Sequence, residues 1–589
     1  MFKRYKGIIW WIIVFVALFA ILQTMSKYIF FYIEQTRMFQ FSWPYIRDEL
    51  FQHGGLVLLI GEFLTQFYLL NYAGAAISAA VIMMAGALTW RIMHKISPSN
   101  NLITFPLLIT VSLLFAAFDF NYNIAGAISL AFALWALLGY LKIENAKLRV
   151  AYALFLMIAL FLFAGPIHIM FAGCVVIWEA LTKRSSWYMS FTVLLLSIAM
   201  SYFGIHHALY SEVRYAFLPT NYFNSGATLE SNMYLLITPV AIITAYFSRS
   251  IRLLKNGESM RPLLNIAIRS VQIAIVALLI WLGIGKYHQK EFCGVLELDH
   301  YAHTEQWDKI VERAPTLHPN SLNLNNLNMA LAQRGELLDK LFSFEQINTE
   351  GLIVKWDMTR HIATLLSDVA FTIGHISMAQ EMAFESNVVC SFSNARMLQR
   401  LVQTNLVYGY HTSAERYIRM LENSLFYRKW AKEHRRLLYD DPAIDADPLL
   451  GAKRTDLLSE SDSYLSTSIS YEGLQRMVIN NPVNHTPLEY LLAMSLLSNN
   501  LDVYKYLLET NFGSEALKVL PVCCQEAAII VYGPNPEIIN HYGISEQVVA
   551  DFDKFSTSMR LLSSKTAASV LKEQFDNTFW YYNITFGKR

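Results

Sequence analysis

The sequence predicts an all-α protein. It reads as a polytopic bundle of transmembrane helices, about nine spans with ten as the alternative count, followed by a soluble α-helical solenoid of the tetratricopeptide kind. Three observations carry this. Apolar runs recur up to Gly285 and then stop. Net charge divides at the same place. The second half shows helix-period patterning and an internal repeat rather than strand-like alternation.

The apolar runs are 8–24, 74–92, 102–118, 122–141, 150–164, 167–182, 187–204, 232–248 and 269–285. Most have the length of roughly 17–25 residues that a bilayer demands of a helix. The first follows Lys3, Arg4 and Lys6, as a signal peptide would, but Leu22-Gln23-Thr24-Met25 offers no small-x-small cleavage site. It reads as a retained signal anchor. With 54% hydrophobic and 16% charged residues, the chain is no disordered polymer, and a single soluble domain is a poor account of it.

The net charge of +1 hides a split. Residues 1–285 hold 19 Lys and Arg against 10 Asp and Glu, and residues 286–589 hold 28 against 36. With the N-terminus cytoplasmic and nine spans, segments 1–7, 91–101, 142–149, 183–186 and 249–269 lie inside and carry 15 Lys/Arg, against 4 outside. This is the positive-inside pattern of a bacterial inner-membrane protein with an extracytoplasmic, periplasmic C-terminal half. Domains are therefore expected at 1–285, with a long first external loop at 25–73, and at 286–589. The stretch 55–72 is apolar enough for a tenth span, but it holds Glu62 and Gln66. A crossing there would invert every later loop. It is expected to lie re-entrant or along the interface.

In the second half, Gly374-His-Ile-Ser-Met-Ala379 and Gly409-Tyr-His-Thr-Ser-Ala414 share a Gly-x4-Ala pattern 35 residues apart, each between two helical stretches. The glycine allows a tight helix–helix turn and the alanine a close approach. Trp307, Ile310, Ala330 and Gly335 suggest an earlier unit, and Tyr490–Leu497 with 499–508 a later one. A simple helical bundle is the plainer alternative. The polar run Ser459–Ser470 reads as a hinge, within about 451–470. The net charge of −8 speaks against nucleic acid as a partner. The cysteines Cys174, Cys293, Cys390, Cys523 and Cys524 match no metal spacing, and their disulfide state stays open.

No phosphate loop, HExxH, GxSxG or CxxC motif occurs. A site would have to be built from external loops. The first reads Glu34-Gln-Thr-Arg37, then Trp43-Pro-Tyr-Ile-Arg47-Asp48-Glu49-Leu-Phe-Gln52-His53-Gly54-Gly55, then Gly61-Glu62-Phe-Leu-Thr-Gln66. On a helix, Tyr45, Asp48 and Gln52 share a face, and Gly54-Gly55 could fold Glu62 back toward Asp48 and Glu49. A carboxylate at the bilayer edge suits a general base, and Arg or His suits a phosphate leaving group. The catalytic candidates are Asp48, Glu49 and Glu62; the donor-binding candidates are Arg37, Arg47, His206, His207 and Arg214. The plainer readings are a solvated helix face for Arg47, Asp48 and Glu49, snorkelling for Glu62, an ion pair with Glu212 for Arg214, and a turn role for Asp119. His168, just after Gly165-Pro166, is equally open.

The run Glu34-Gln35, Phe39, Tyr45, Gly54-Gly55 and Gly61-Glu62-Phe63-Leu64-Thr65-Gln66-Phe67 resembles an uncharacterised bacterial family of multi-pass membrane proteins with a tetratricopeptide-like C-terminal half. The match is best over the first 75 residues or so, and that family brings no activity with it. The architecture also resembles the GT-C class of membrane glycosyltransferases. That resemblance implies transfer of a sugar or glycan from a polyprenyl-phosphate-linked donor to a protein or glycan acceptor, with Asp48 or Glu49 as base and Glu62 in reserve. There are fewer spans than in the best-known members and no Asp-x-Asp pair, so a divalent cation has no ligand motif here. The competing expectation is a non-enzymatic inner-membrane scaffold whose repeats dock envelope partners.

Overall fold

Helices follow one another along the whole chain in the computed structural model, and no strand forms among the described residues. Those residues are 2–98, 102–183, 189–224, 226–250, 262–457, 469–561 and 567–586. Two units emerge: Met1–Cys293 with Asn423–Phe426, and Gly294–Glu422 with Tyr427–Arg589. The expected hinge at Ser459–Ser470 falls almost entirely outside the described residues, as do most of the basic loops 183–186 and 249–269.

In the first unit every one of the nine apolar runs forms helix. Four stretches are long and apolar enough to cross a membrane: Gly7–Met25, Ala73–Ile96, Ala146–Thr182 and Ile266–Tyr287. The third takes in two of the runs, and Gly165 at φ 71° breaks its helical path. Thr104–Ala116, Ala125–Tyr140 and Ser190–His206 have only 10–17 residues, and Tyr234–Phe247 has 14. At 1.5 Å per residue a 13-residue helix reaches about 20 Å, short of a hydrocarbon core of about 30 Å. The structure thus supports four helices of spanning length rather than a count of nine.

Ala73–Ile96 lies among Phe2–Met25, Thr104–Ala116, Ala125–Tyr140 and Tyr234–Phe247. Its buried face is built of Ala75, Ser78, Ala79, Ala85 and Gly86, small residues that let backbones approach. A Cβ on Gly86 would sit 2.6 Å from Thr110 Cγ2 and 3.1 Å from the Trp11 ring. The outward faces carry large apolar side chains: Ile12, Phe155, Leu195, Leu236, Trp135 and Trp281 are all exposed. Apolar surface of this extent suits lipid rather than water.

The second unit is a series of helix pairs, and the expected repeat is visible in its turns. Arg360–Ile373 pairs with Ile376–Val389 across Gly374 at φ 100°, and Ala395–Val407 with His411–Glu422 across Gly409 at φ 76°. In both, the residue after the glycine donates its N–H back across the turn, His375 to Ala370 O and Tyr410 to Asn405 O, each at 2.8 Å. The same bond recurs at three further turns: Glu336 N–H to Leu331 O beside Gly335, Gln306 to Tyr301 beside Glu305, and Asn500 to Ser495 beside Asn499. Glu305 and Asn499 hold the left-handed conformation without being glycine. Ala379 and Ala414 are fully buried at the helix contacts, as the Gly-x4-Ala pattern requires. All five cysteines are free.

Candidate functional site

Trp43–Leu50 and Gly55–Thr65 form a helical hairpin in the first unit. Pro44 suits the first turn of the first helix. Gly54 takes φ 71°, and a Cβ on Gly55 would lie 2.1 Å from Glu49 O, so both glycines are needed for the reversal. The second helix is 11 residues long, about 16 Å, too short to cross a bilayer alone.

The reversal brings Tyr45 and Glu62 together: the Tyr45 hydroxyl donates to Glu62 Oε2. Phe39 packs edge-on against both Tyr45 and Phe63, each at 5.5 Å. Burial first, then the charge of Glu49, pushes the Glu62 carboxyl up to about 7, against the lowering effects of the Tyr45 hydroxyl and Arg37. Burial and Asp48 raise Glu49 as well, against the Gln52 hydrogen bond. Arg37 reaches the 119–123 turn, donating to Asn121 O at 3.1 Å and Tyr122 O at 3.2 Å. Two buried atoms, Gln66 Oε1 and the Tyr122 hydroxyl oxygen, have no hydrogen-bond partner among the described residues. Orphaned buried polar atoms of this kind mark a place for water or a ligand.

Glu62, Glu49 and Arg37 therefore belong to one electrostatic cluster, and Asp48 and Arg47 do not join it. They pair with each other at 2.8 Å on the exposed side of the first hairpin helix. One residue of offset on a helix turns a side chain by about 100°, which is why Glu49 and not Asp48 stands near Glu62.

The other candidates lie elsewhere in the unit. His206 and His207 are exposed, with their rings against Tyr202 and Phe203. Arg214 is paired with Glu212 at 2.6 Å and exposed, the plainer of its two readings. Asp119 is a turn residue, accepting from Asn121 N and from Asn224 Nδ2.

His53, at the hairpin turn, enters a second cluster. Its Nε2 lies 3.1 Å from the Tyr210 hydroxyl, Tyr222 donates to its carbonyl at 2.6 Å, and its ring packs on Phe161. Burial, then the neighbouring His168, lowers His53 to about 4, so it is neutral. Tyr210, Tyr122 and Tyr68 escaped the sequence reading because single tyrosines in apolar runs carry no spacing signal. No group of three or more His, Cys, Asp or Glu side chains is placed to hold a metal among the described residues.

Fold and site together define an all-helical protein with apolar helices of membrane-spanning length, a carboxylate hairpin and a helical-repeat unit. Within that class, the chain belongs to a family of unknown function, DUF6057, which it matches over residues 3–585. No curated protein and no solved structure matches it.

Proposed function

We propose that this protein is a membrane glycosyltransferase of the GT-C kind, moving a sugar or glycan from a polyprenyl-phosphate-linked donor to an extracytoplasmic acceptor. The observation that carries the reading is the Tyr45–Glu62 pair with Glu49 beside it. A carboxyl with its pKa near neutrality, backed by a phenol and reached through a hairpin, is suited to general-base work. In the step envisaged, Glu62 takes the proton of an acceptor hydroxyl. That oxygen then bonds to the sugar's anomeric carbon as the carbon–oxygen bond to the lipid phosphate breaks. The phosphate leaves on the carrier, and the exposed Arg47, His206, His207 and Arg214 are the groups available to meet it. The Lys and Arg distribution supports a cytoplasmic N-terminus in the inner membrane, with the remaining apolar helices completing the spans and the repeat unit on the periplasmic side.

The test uses membrane vesicles and a radiolabelled polyprenyl-phosphate sugar. Glu62→Gln should lower transfer at least about 100-fold, as expected for loss of a general base. Glu49→Gln should have a smaller effect, and Asp48→Ala almost none. The wild-type kcat/KM should rise with pH through about 7, because the base must be ionised. Unchanged transfer in all three variants would sink the mechanism. Stoichiometric crosslinking of envelope proteins to such variants would favour the scaffold reading.

A further inference from the structure

The second unit encloses a cavity of about 910 Å³, at the upper end for a small-molecule site. The C-terminal ends of Lys290–His303, Ser321–Gln333 and Arg360–Ile373 line it, together with Ala395–Val407 and residues around 452–456 and 481–486. Its position follows from the repeat, since the left-handed turns hold these helix ends side by side.

The charges on its wall are internally balanced. Arg396 pairs with Asp299 at 2.8 Å and with Asp368, which also receives Arg400 at 3.0 Å. Lys453 faces Asp456 at 3.6 Å, and Arg334 holds Asp308 and Glu336. A phosphate or carboxylate ligand would have to displace or face these carboxylates. What the wall offers is uncharged hydrogen bonding and ring faces. Arg400 Nε is buried with no hydrogen-bond partner among the described residues. The Arg400 guanidinium is stacked 3.7 Å from the Phe371 ring centroid and fixed through Gln403 at 3.0 Å, so its direction is set in advance. The indoles of Trp307 and Trp430 and the amides of Gln399, Asn481 and Asn484 complete the lining.

We propose that this cavity binds an uncharged oligosaccharide. Each sugar hydroxyl both donates and accepts, which matches planar amides and a pre-ordered guanidinium. The C–H faces of a pyranose lie against the negative faces of aromatic rings. A peptide would anchor through aliphatic pockets, and here the apolar wall is mostly aromatic.

The experiment uses the full chain in a detergent without a sugar headgroup. Neutral hexose and N-acetylhexosamine oligomers of two to four units are titrated by calorimetry and tryptophan fluorescence, with an acidic peptide and inorganic phosphate alongside. At least one saccharide should saturate below about 1 mM. Arg400→Gln and Trp430→Ala should each weaken it at least tenfold, and Gln403→Ala several-fold, with helix content and Tm retained. No saturation by any saccharide, saccharide binding indifferent to the folded variants, or binding of the peptide or phosphate alone would overturn the proposal. The readout needs no turnover, so it stands or falls apart from the transferase reading.

Discussion

Replacing Glu179 by Ala should destabilise the first unit more than any other single truncation of a polar side chain there. Glu179 and Arg149 are 2% and 1% exposed, and Nε lies 2.7 Å from Oε1 while Nη2 donates to Oε2 at 3.0 Å. Tyr140 adds a hydroxyl donor to Oε1 at 2.8 Å. Arg149 also donates to Glu144 O at 3.1 Å, so the pair ties Ala125–Tyr140, Ala146–Ala164 and His168–Thr182 together. Deleting the carboxylate strands a buried guanidinium, which costs about 3–5 kcal/mol. That is two to three decades in the unfolding equilibrium. Tyr140→Phe removes one bond to a charged acceptor, about 1.5–3 kcal/mol. Arg149→Met with Glu179→Leu removes both charges and should return most of the stability, because desolvation of the pair roughly cancels its attraction. The assay is reversible denaturant titration in detergent, followed by tryptophan fluorescence, as a double-mutant cycle. A single-variant loss below about 1 kcal/mol, or a double variant as unstable as Glu179→Ala, would refute the reasoning.

Gly55→Ala should break the hairpin, since its Cβ would lie 2.1 Å from Glu49 O. A melting-temperature drop together with lost transfer activity would show it, and an unaltered variant would contradict it. Glu305→Gly should stabilise the second unit by about 1 kcal/mol, because a residue with a Cβ now holds φ 55°; chemical denaturation measures it. In that unit, burial first, then Asp551, raises Glu526 from 4.5 to about 8, against the Phe579 N–H bond. Above pH 4.5 the unfolded carboxyl ionises while the folded one stays protonated. Stability should therefore fall from pH 4.5 to about 8, and Glu526→Gln should flatten that slope.

The hairpin shows how far local reading reaches. Gly54-Gly55 announced a reversal, and the reversal does place Glu62 near Glu49 and Tyr45. Choosing between Asp48 and Glu49 needed the rotation of one helix about its own axis, which the facing helix decides. His53 looked like part of the same carboxylate cluster. It sits instead at the other end of Gly55–Thr65, about 12 Å away along that helix, where Tyr210 and Tyr222 from more than 150 residues on close over it. The repeat was legible where glycine filled the left-handed turn, at Gly374 and Gly409, and hidden where Glu305 and Asn499 adopt the same conformation at a cost in energy.

The chain's own order of residues determined the helical class, the change of character after Gly285 and the turns that glycine makes easy. These depend on composition and on interactions within a few residues, which do not wait for the rest of the fold. Tertiary structure decided which apolar helices reach spanning length, which carboxylates meet, and that Arg396, Arg400 and Lys453 surround a cavity with their charges already answered. Those outcomes depend on the mutual register of helices far apart in the chain, where a single residue of offset redirects a side chain entirely.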